Sequence, residues 1–361
     1  MHDYRNLKIN DVQLFDIEPD EARIKVAGCS VCHTDIGYWK GETQLVKPPI
    51  ILGHEISGVV EEVGEDVVLL NKGDHVILPP VYGDRVCKSC RRGDDNLCEN
   101  YTMFGFNRPG GFAEEVTVPA KYAFRISDKL ERDLEYYAPV ADALSTPFQA
   151  LKVAIPEAAQ IREGDWVAVY GCGGVGSGAI TIANALGANV IAIDKRDSAL
   201  EMAKILGAKE TFNPNSLDTK RYSSVPDYVR KTVGGDGVGI AMECIGMPST
   251  VEDAVKSLRK GGRAIDIGYI PDKIVEGKTE RTLVKLWGAP IMFKGIGLDG
   301  TFGCRTSLFP ELIRLVEEKN IPVHELVSEV YSLSLLADEE TNEVFEEIEK
   351  GKYAGRVVIT P

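Results

Sequence analysis

Three cysteines, Cys87, Cys90 and Cys98, stand close together in the stretch DRVCKSCRRGDDNLC. Thiols at such spacing are the usual material of a tetrahedral zinc site, which needs four ligands. The triplet is thus a site with an unusual fourth ligand, a site that has lost its metal, or a coincidence. Two further stretches carry reactive side chains: GCSVCHTD, with Cys32 beside His33 and Thr34, and LGHEISG, with His54 beside Glu55. Taken singly, Cys32 reads as a buried thiol or, with Cys29, as a redox pair, and His54 as a satisfied core histidine. A fourth stretch, Gly171-Cys172-Gly173-Gly174-Val175-Gly176, fits the G-x-G-x-x-G pattern between an apolar run and a helix-like one. There Gly171 permits a tight turn, Gly173 lets backbone approach a pyrophosphate, and Gly176 lets helix pack on strand. The next apolar run ends in Asp194, where a carboxylate can accept from both ribose hydroxyls and repel a 2′-phosphate. A dinucleotide site for NAD rather than NADP is the expectation, with Lys195 and Arg196 softening the preference.

The elements that must hold these groups divide the chain by texture. Residues 1–150 are rich in Gly, Pro and short β-type runs such as ARIKVAGCS, ISGVVEEVG and DHVILPP, which predict an irregular β-rich domain. From about 151 to 295, strand-like runs (DWVAVYG, NVIAID, VGIAMEC, GRAIDIG) alternate with helix-like ones, predicting an α/β domain with a doubly wound parallel sheet. The run PIMFKGIGLDG, Pro290–Gly300, reads as an apolar strand at the end of that sheet. Residues 296–361 add helices at LFPELIRLVEEKN and ADEETNEVFEEIEKG, the latter a solvated acidic face. At 361 residues, with 44% hydrophobic and 27% charged residues, there is room for large cores that need no metal to hold them. The net charge of −14 argues against nucleic acid and anionic membrane as partners. Trp166–Ile193 lacks charge, but its six glycines suit a buried nucleotide-binding unit better than a membrane span. The N-terminal stretch lacks the pattern of an export signal, so a cytoplasmic protein with reduced thiols is expected.

Together with the dinucleotide pattern, Cys32, His54 and the run GHEISGVVEEVGEDVVLLNKGDHV resemble the zinc-dependent medium-chain alcohol dehydrogenases, with Gly58, Gly64, Gly73 and Asp74 in register. The resemblance extends from about residue 20 onward. It implies a GroES-like catalytic domain followed by a Rossmann domain, with residues 296–361 returning to the catalytic domain. It implies that Cys32, His54 and Asp142 hold a catalytic zinc, with Glu55 beside the metal as a transient ligand and Thr34 bonded to the alcohol. Asp142 stands where many members carry cysteine, and its other reading is a cap of the following helix. The family's lobe spacing places Asp84 before Cys87, Cys90 and Cys98, implying a second, structural zinc. Gly37 occupies a position where many members carry the histidine that ends a proton relay.

The resemblance implies a homodimer or homotetramer paired through the edge strand, and a small-molecule alcohol as substrate. Several stretches, among them VADALSTPFQAL and GTFGCRTSLFPELIRLVEEKN, are most similar to members that oxidise a ring hydroxyl of an alicyclic acyl-CoA. For those phosphates Arg91, Arg92, Arg108 and Arg305 are candidate partners. Dehydrogenases of simple aliphatic, aromatic or polyol alcohols share every zinc and NAD motif. A zinc-free reductase and a nucleotide-binding sensor on the same fold are the readings outside this class. Cys29, Cys172, Cys244 and Cys304 are left as ordinary thiols.

Overall fold

The computed structural model describes all residues outside 15, 43–45, 156–159, 271–272, 276–277, 287 and 336–337, and the backbone alone at 273–275, 278–279, 335 and 338. Ala337, expected to open the acidic helix, lies outside the described residues. The chain forms two compact units, Met1–Ser145 with Gly303–Pro361, and Thr146–Phe302.

The first unit is built on a seven-stranded sheet. Its strands are β1 (Glu21–Val31), β2 (Glu55–Val63), β3 (His75–Leu78), β6 (Glu115–Pro119), β7 (Phe124–Arg125), β16 (Val327–Ser332) and β17 (Arg356–Thr360). The order is β16-β17-β1-β2-β3-β7, with β6 also paired to β1. A small ribbon, β4 (Val81–Tyr82) with β5 (Thr102–Met103), lies apart from it. The first seven residues of β1 alternate between less buried and buried, and the last four, Gly28–Val31, are all buried. That is the change a strand shows as it passes from a half-covered to a fully covered position. Helix α1 (His33–Lys40) follows β1 directly, and a short helix, α2 (Lys88–Arg91), sits in the cysteine lobe. The later helices of this unit are α9 (Phe309–Glu318) and α10 (Asp338–Glu349). In α9, Phe309, Leu312, Ile313 and Val316 are buried at helical spacing, and Pro310 occupies its first turn, where a missing N–H costs nothing.

The second unit is a six-stranded, wholly parallel sheet in the order β10-β9-β8-β11-β12-β15. Its strands are β8 (Trp166–Tyr170), β9 (Asn189–Ile193), β10 (Glu210–Phe212), β11 (Val238–Glu243), β12 (Leu258–Asp266) and β15 (Gly297–Gly300). A hairpin of β13 (Lys273–Val275) and β14 (Lys278–Glu280) stands apart from the sheet. The helices are α3 (Ser145–Gln149, which crosses the unit boundary), α4 (Gly174–Ala185), α5 (Asp197–Ile205), α6 (Val225–Thr232), α7 (Pro248–Lys256) and α8 (Gly288–Lys294). This is a Rossmann-type doubly wound arrangement, and strand order reverses between β8 and β11.

One expectation fails here. Pro290–Gly300 is not one apolar strand: residues through Lys294 belong to α8, and only Gly297–Gly300 pairs with the sheet. Gly295, at φ +61°, takes the left-handed conformation that ends a helix and turns the chain. A short apolar run such as Ile291–Phe293 carries no period that separates strand from helix. Because β15 still pairs with β12, the boundary of the second unit falls after Phe302 rather than at residue 295. No helix among the described residues is long and apolar enough to cross a membrane.

Candidate active site

The end of β1, the start of β2 and the turn before α3 deliver four side chains to one place. Cys32 caps α1, His54 immediately precedes β2 and Glu55 opens it, and Asp142 follows a 3-10 run, Leu134–Val140. One ligand atom from each of Cys32, His54, Glu55 and Asp142 lies within 4.8 Å of every other. His54 Nε2 is 3.9 Å from Asp142 Oδ2. Thr34 is beside them, its Oγ1 3.7 Å from Cys32 Sγ. Gly37 lies further along α1, and the nearest atom to a side chain there would be Glu42 Oε2 at 3.3 Å.

Two buried residues complete this set, and the sequence reading missed both. Asp35 is fully buried; its carboxylate accepts from the N–H groups of Cys32 (2.9 Å) and Gly53 (3.0 Å), and stands 3.4 Å from His54 Nδ1. The 3.4 Å contact is an ion-pair distance rather than a well-formed hydrogen bond, since Nδ1 makes none with the described residues. A carboxylate behind a metal-binding histidine is the usual second support, and Asp35, immediately after Thr34, was the signal to follow. Arg356 enters from β17. Its Nε donates to Glu55 Oε2 at 3.1 Å, and its Nη2 donates to both Glu55 Oε1 at 2.5 Å and Cys32 Sγ at 3.6 Å. Nothing in the local sequence GRVVIT marks it.

The electrostatics describe a site short of positive charge. Burial pulls the His54 imidazolium toward neutrality, yet Asp35 and Cys32 outweigh it, and its pKa stands well above the ordinary histidine value. Burial pushes Glu55 up to about 7 against the opposing pull of Arg356. The acidic groups Cys32, Asp35, Glu55 and Asp142 outnumber the one guanidinium, and a divalent cation would offset the excess negative charge once His54 binds it as a neutral ring. The donor set of sulfur, imidazole nitrogen and carboxylate oxygen is one that suits zinc.

In the lobe, Asp84, Cys87, Cys90 and Cys98 also bring their ligand atoms within 4.8 Å of one another. The sulfurs of Cys87 and Cys98 are 3.8 Å apart, far beyond a disulfide. Two thiolates at about 2.3 Å from a tetrahedral zinc lie about 3.8 Å from each other, so this spacing fits the ion. Backbone N–H groups of Asp84 and Asn100 point at Cys98 Sγ at 3.3 Å, and that of Cys90 at Cys87 Sγ at 3.5 Å, the latter bond lowering the Cys87 thiol pKa. Asp84 accepts from Asn100 Nδ2 (3.0 Å) and from the N–H groups of Val86 (2.8 Å) and Cys87 (3.1 Å), and these bonds hold its carboxyl well below the usual range. The lobe is clasped to the second stretch of its own unit: Arg305 bonds Asp94, and Thr306 bonds Asp95 through both its N–H (3.1 Å) and its hydroxyl.

In the second unit, Gly171 takes φ +89° between β8 and α4. A Cβ on Gly176 would lie 1.8 Å from Gly171 O, whereas one on Gly173 would meet nothing nearer than Arg196 at 3.7 Å. The turn is therefore closed at Gly176 and open at Gly173, the cradle a pyrophosphate needs above Gly174 and Val175 at the helix N-terminus. Asp194, just past β9, accepts from Cys172 N–H (2.8 Å) and Arg196 N–H (2.9 Å) and keeps lone pairs for ribose hydroxyls. Arg196 Nε lies 3.4 Å from the same carboxylate, and Lys195 sits between them in sequence.

The remaining candidates are placed as follows. Cys29, Cys172 and Cys304 are buried and Cys244 partly so, and burial raises the thiol pKa of each. All four candidate arginines are engaged: Arg91 with Val86 O, Arg92 and Arg305 with Asp94, and Arg108 with Glu21 and Tyr82.

Comparison with known proteins agrees with this geometry. Residues 18–128 match the alcohol dehydrogenase GroES-like domain, and residues 174–318 the zinc-binding dehydrogenase domain. An alcohol dehydrogenase of Geobacillus stearothermophilus is 34% identical over 98% of this chain and 96% of its own length. The D-arabinose 1-dehydrogenase (NADP(+)) of Saccharolobus solfataricus is 29% identical over 98% and 94%. The crystal structure of an NAD-dependent alcohol dehydrogenase superposes with a TM-score of 0.82 at 28% identity, covering 98% of this chain and 95% of that one. Zinc and a nicotinamide dinucleotide are the cofactors of such enzymes, and oxidation at CH–OH is their reaction. With both domains matched and the nearest of these relatives aligned almost end to end, the chain belongs to the zinc-binding medium-chain alcohol dehydrogenase family.

Proposed function

We propose that this enzyme oxidises a secondary alcohol to a ketone with NAD as acceptor, at a zinc held by Cys32, His54 and Asp142. The convergence of those donors with Glu55 beside Thr34 is the observation that carries the reading. Bound there, zinc supplies the Lewis acidity that makes an alcohol hydroxyl acidic near neutral pH, and NAD supplies the hydride acceptor. Thr34 Oγ1 receives the hydroxyl proton's hydrogen bond and orients the carbon that gives up hydride. Gly37 offers no side chain to carry the proton on, so it leaves through ribose hydroxyls or water. Arg356 holds Glu55 as a neutralised neighbour, available to the metal when a ligand leaves. Asp84, Cys87, Cys90 and Cys98 hold a second, structural zinc.

The NAD preference is supported by Asp194, whose carboxylate suits ribose hydroxyls and repels a 2′-phosphate. Arg196 at 3.4 Å tempers it, and the relatives include both NAD and NADP(+) enzymes. For the substrate, the sequence resemblance points to the ring hydroxyl of 6-hydroxycyclohex-1-ene-1-carbonyl-CoA. Against it, the four arginines considered for its phosphates already have partners within the protein, and simple alcohols fit the same zinc set equally. A panel of this thioester, its free acid, benzyl alcohol, 2-butanol and sorbitol decides between them. A preference for the thioester of at least about tenfold in kcat/KM is expected of even modest CoA contacts. A smaller ratio leaves a dehydrogenase of simple alcohols, and no NAD reduction with any alcohol overturns the reaction itself.

A further inference from the structure

The parallel sheet carries a carboxyl pair, one member buried and the other half-buried, that neither zinc site uses. Glu243 ends β11 and Asp266 ends β12, and the two are partners in the register of adjacent strands, so their side chains project from the same face. Glu243 is buried, and its carboxylate accepts from the N–H groups of Ile245 (3.0 Å) and Gly246 (3.0 Å) and from Thr250 Oγ1 (2.6 Å). Its backbone carbonyl accepts from the N–H groups of Ile267 (2.9 Å) and Gly268 (3.1 Å). One residue thus ties down the loop after β11 with its side chain and the loop after β12 with its main chain. The two loops touch without slack: a Cβ on Gly246 would lie 2.2 Å from Tyr269 O, and one on Gly268 2.6 Å from Glu243 Oε2.

Asp266 is the anomaly. Its Oδ1 is buried, and no donor among the described residues reaches it. An acceptor left so is costly, and a second carboxylate beside it makes it more so. A proton on Asp266, donated to Glu243, removes both costs, because Glu243 is otherwise surrounded by donors. Burial first, and then the Glu243 charge, raise the Asp266 carboxyl to about 6.

The topology says what these loops are for. The pyrophosphate cradle follows β8, and Asp194, which suits the adenine ribose, follows β9 on one side of it. A dinucleotide laid across the switch point places its nicotinamide half over the ends of β11 and β12. Apolar side chains stand exposed there, Ile245 at 44%, Met247 at 46% and Tyr269 at 73%.

We propose that Glu243 and Asp266 share a single proton, and that this proton fixes the two loops that receive the nicotinamide half of the cofactor. Asp266 is then a positioning residue, and cofactor affinity is linked to its protonation. Other charged groups lie on the elements packed around it: Asp299 on β15, Asp253 and Lys256 on α7, and Lys294 on α8. Asp299 pairs one register position earlier, opposite Ile265, and so falls on the other face of the sheet. Among these groups only Glu243 biases the Asp266 carboxyl. The sign follows. Cofactor covering the loops withdraws Asp266 further from water and favours its neutral form, so binding takes up a proton, and affinity declines as pH rises through and above 6.

The proposal rests on the dinucleotide reading of the Gly171 loop. Its test is NADH binding to the zinc-loaded enzyme without alcohol, followed by fluorescence from pH 5.5 to 8.5 and by calorimetry in buffers of different ionisation enthalpy. The unmodified protein should take up protons on binding, and its Kd should rise by up to about tenfold per pH unit within the window. In Asp266→Asn the amide donates to Glu243 at every pH. That variant should keep the low-pH affinity throughout and take up fewer protons, whereas Asp266→Ala should bind weakly at every pH. Binding without proton uptake in the unmodified protein, or an unchanged pH slope in Asp266→Asn, overturns the proposal alone. Absence of NADH binding at every pH overturns the dinucleotide reading and the proposal with it.

Discussion

At the scale of single residues, the proposed catalytic set depends on side chains that would not themselves touch an alcohol. Asp35 holds the His54 ring from behind, 3.4 Å from Nδ1, while two backbone N–H groups hold Asp35. Removing its charge frees the ring and lowers the basicity of the other nitrogen. Asp35→Asn should weaken zinc binding at the catalytic set by about 10–100-fold at pH 8, measured by chelator competition. The difference should narrow as pH falls. In the metal-free protein Asp35 and Cys32 hold the His54 pKa well above the ordinary value, so protons compete with zinc in the unmodified protein at a pH where the variant's ring is already neutral. A constant ratio across pH would show that Asp35 acts on the metal only by orientation. The gathering of Cys32, His54, Glu55 and Asp142 could be read from short motifs because each donor sits in a recognisable run. Arg356 could not. A guanidinium opening an apolar strand looks like any surface charge, and its partner Glu55 is 301 residues away in the chain.

At the scale of elements, the strand–turn–helix at Gly171–Gly176 separates two uses of glycine that a pattern match treats alike. Gly176 has no room for a methyl group, which would press on Gly171 O at 1.8 Å; Gly173 has room, at φ −76°, in a conformation any residue adopts. Gly173→Ala should therefore keep the melting temperature of the unmodified protein and lose NADH affinity by at least about tenfold, its methyl filling the pyrophosphate cradle. Gly176→Ala should lose both, because α4 must shift off β8. Equal stability losses in the two variants would contradict this division. The alternation of strand and helix in this unit was plain in sequence, since each run carries its own period. The segment around Pro290–Gly300 was not: three consecutive apolar residues fit helix or strand, and a glycine at φ +61° decided the matter.

At the scale of the whole molecule, the cysteine lobe and the sheet edge make separate predictions. The lobe is folded around its four ligand groups and clasped through Asp94 and Asp95 to Arg305 and Thr306. Asp84→Ala should reduce zinc from two ions per chain toward one and lower the melting temperature by about 4 °C or more, while the remaining zinc still supports turnover. Metal content unchanged by that substitution would leave Asp84 only its turn-forming bonds to Val86 and Cys87. The edge strand β15 is short, and Met292 (68% exposed), Phe293 (77%) and Leu283 (72%) near it in sequence are open to solvent. An unpaired edge flanked by apolar side chains is best covered by a second copy about a two-fold axis. Light scattering at micromolar concentration should find a dimer or a tetramer; a monomer would refute the pairing.

The contact between Glu55 and Arg356 also has a consequence in time. The second unit is written as one continuous stretch, so each of its strands can find its neighbours as soon as that stretch exists. The first unit is interrupted, and β17 must slot between β1 and β16 after all of the second has been made. Closing a loop of that length is slow compared with local pairing. The order expected during synthesis is therefore the parallel sheet first, with Glu55 lacking its guanidinium partner until β17 is in place. Cys32, His54, Glu55 and Asp142 all precede Arg356 in the chain, so the guanidinium that offsets Glu55 is the last member of the set to be made.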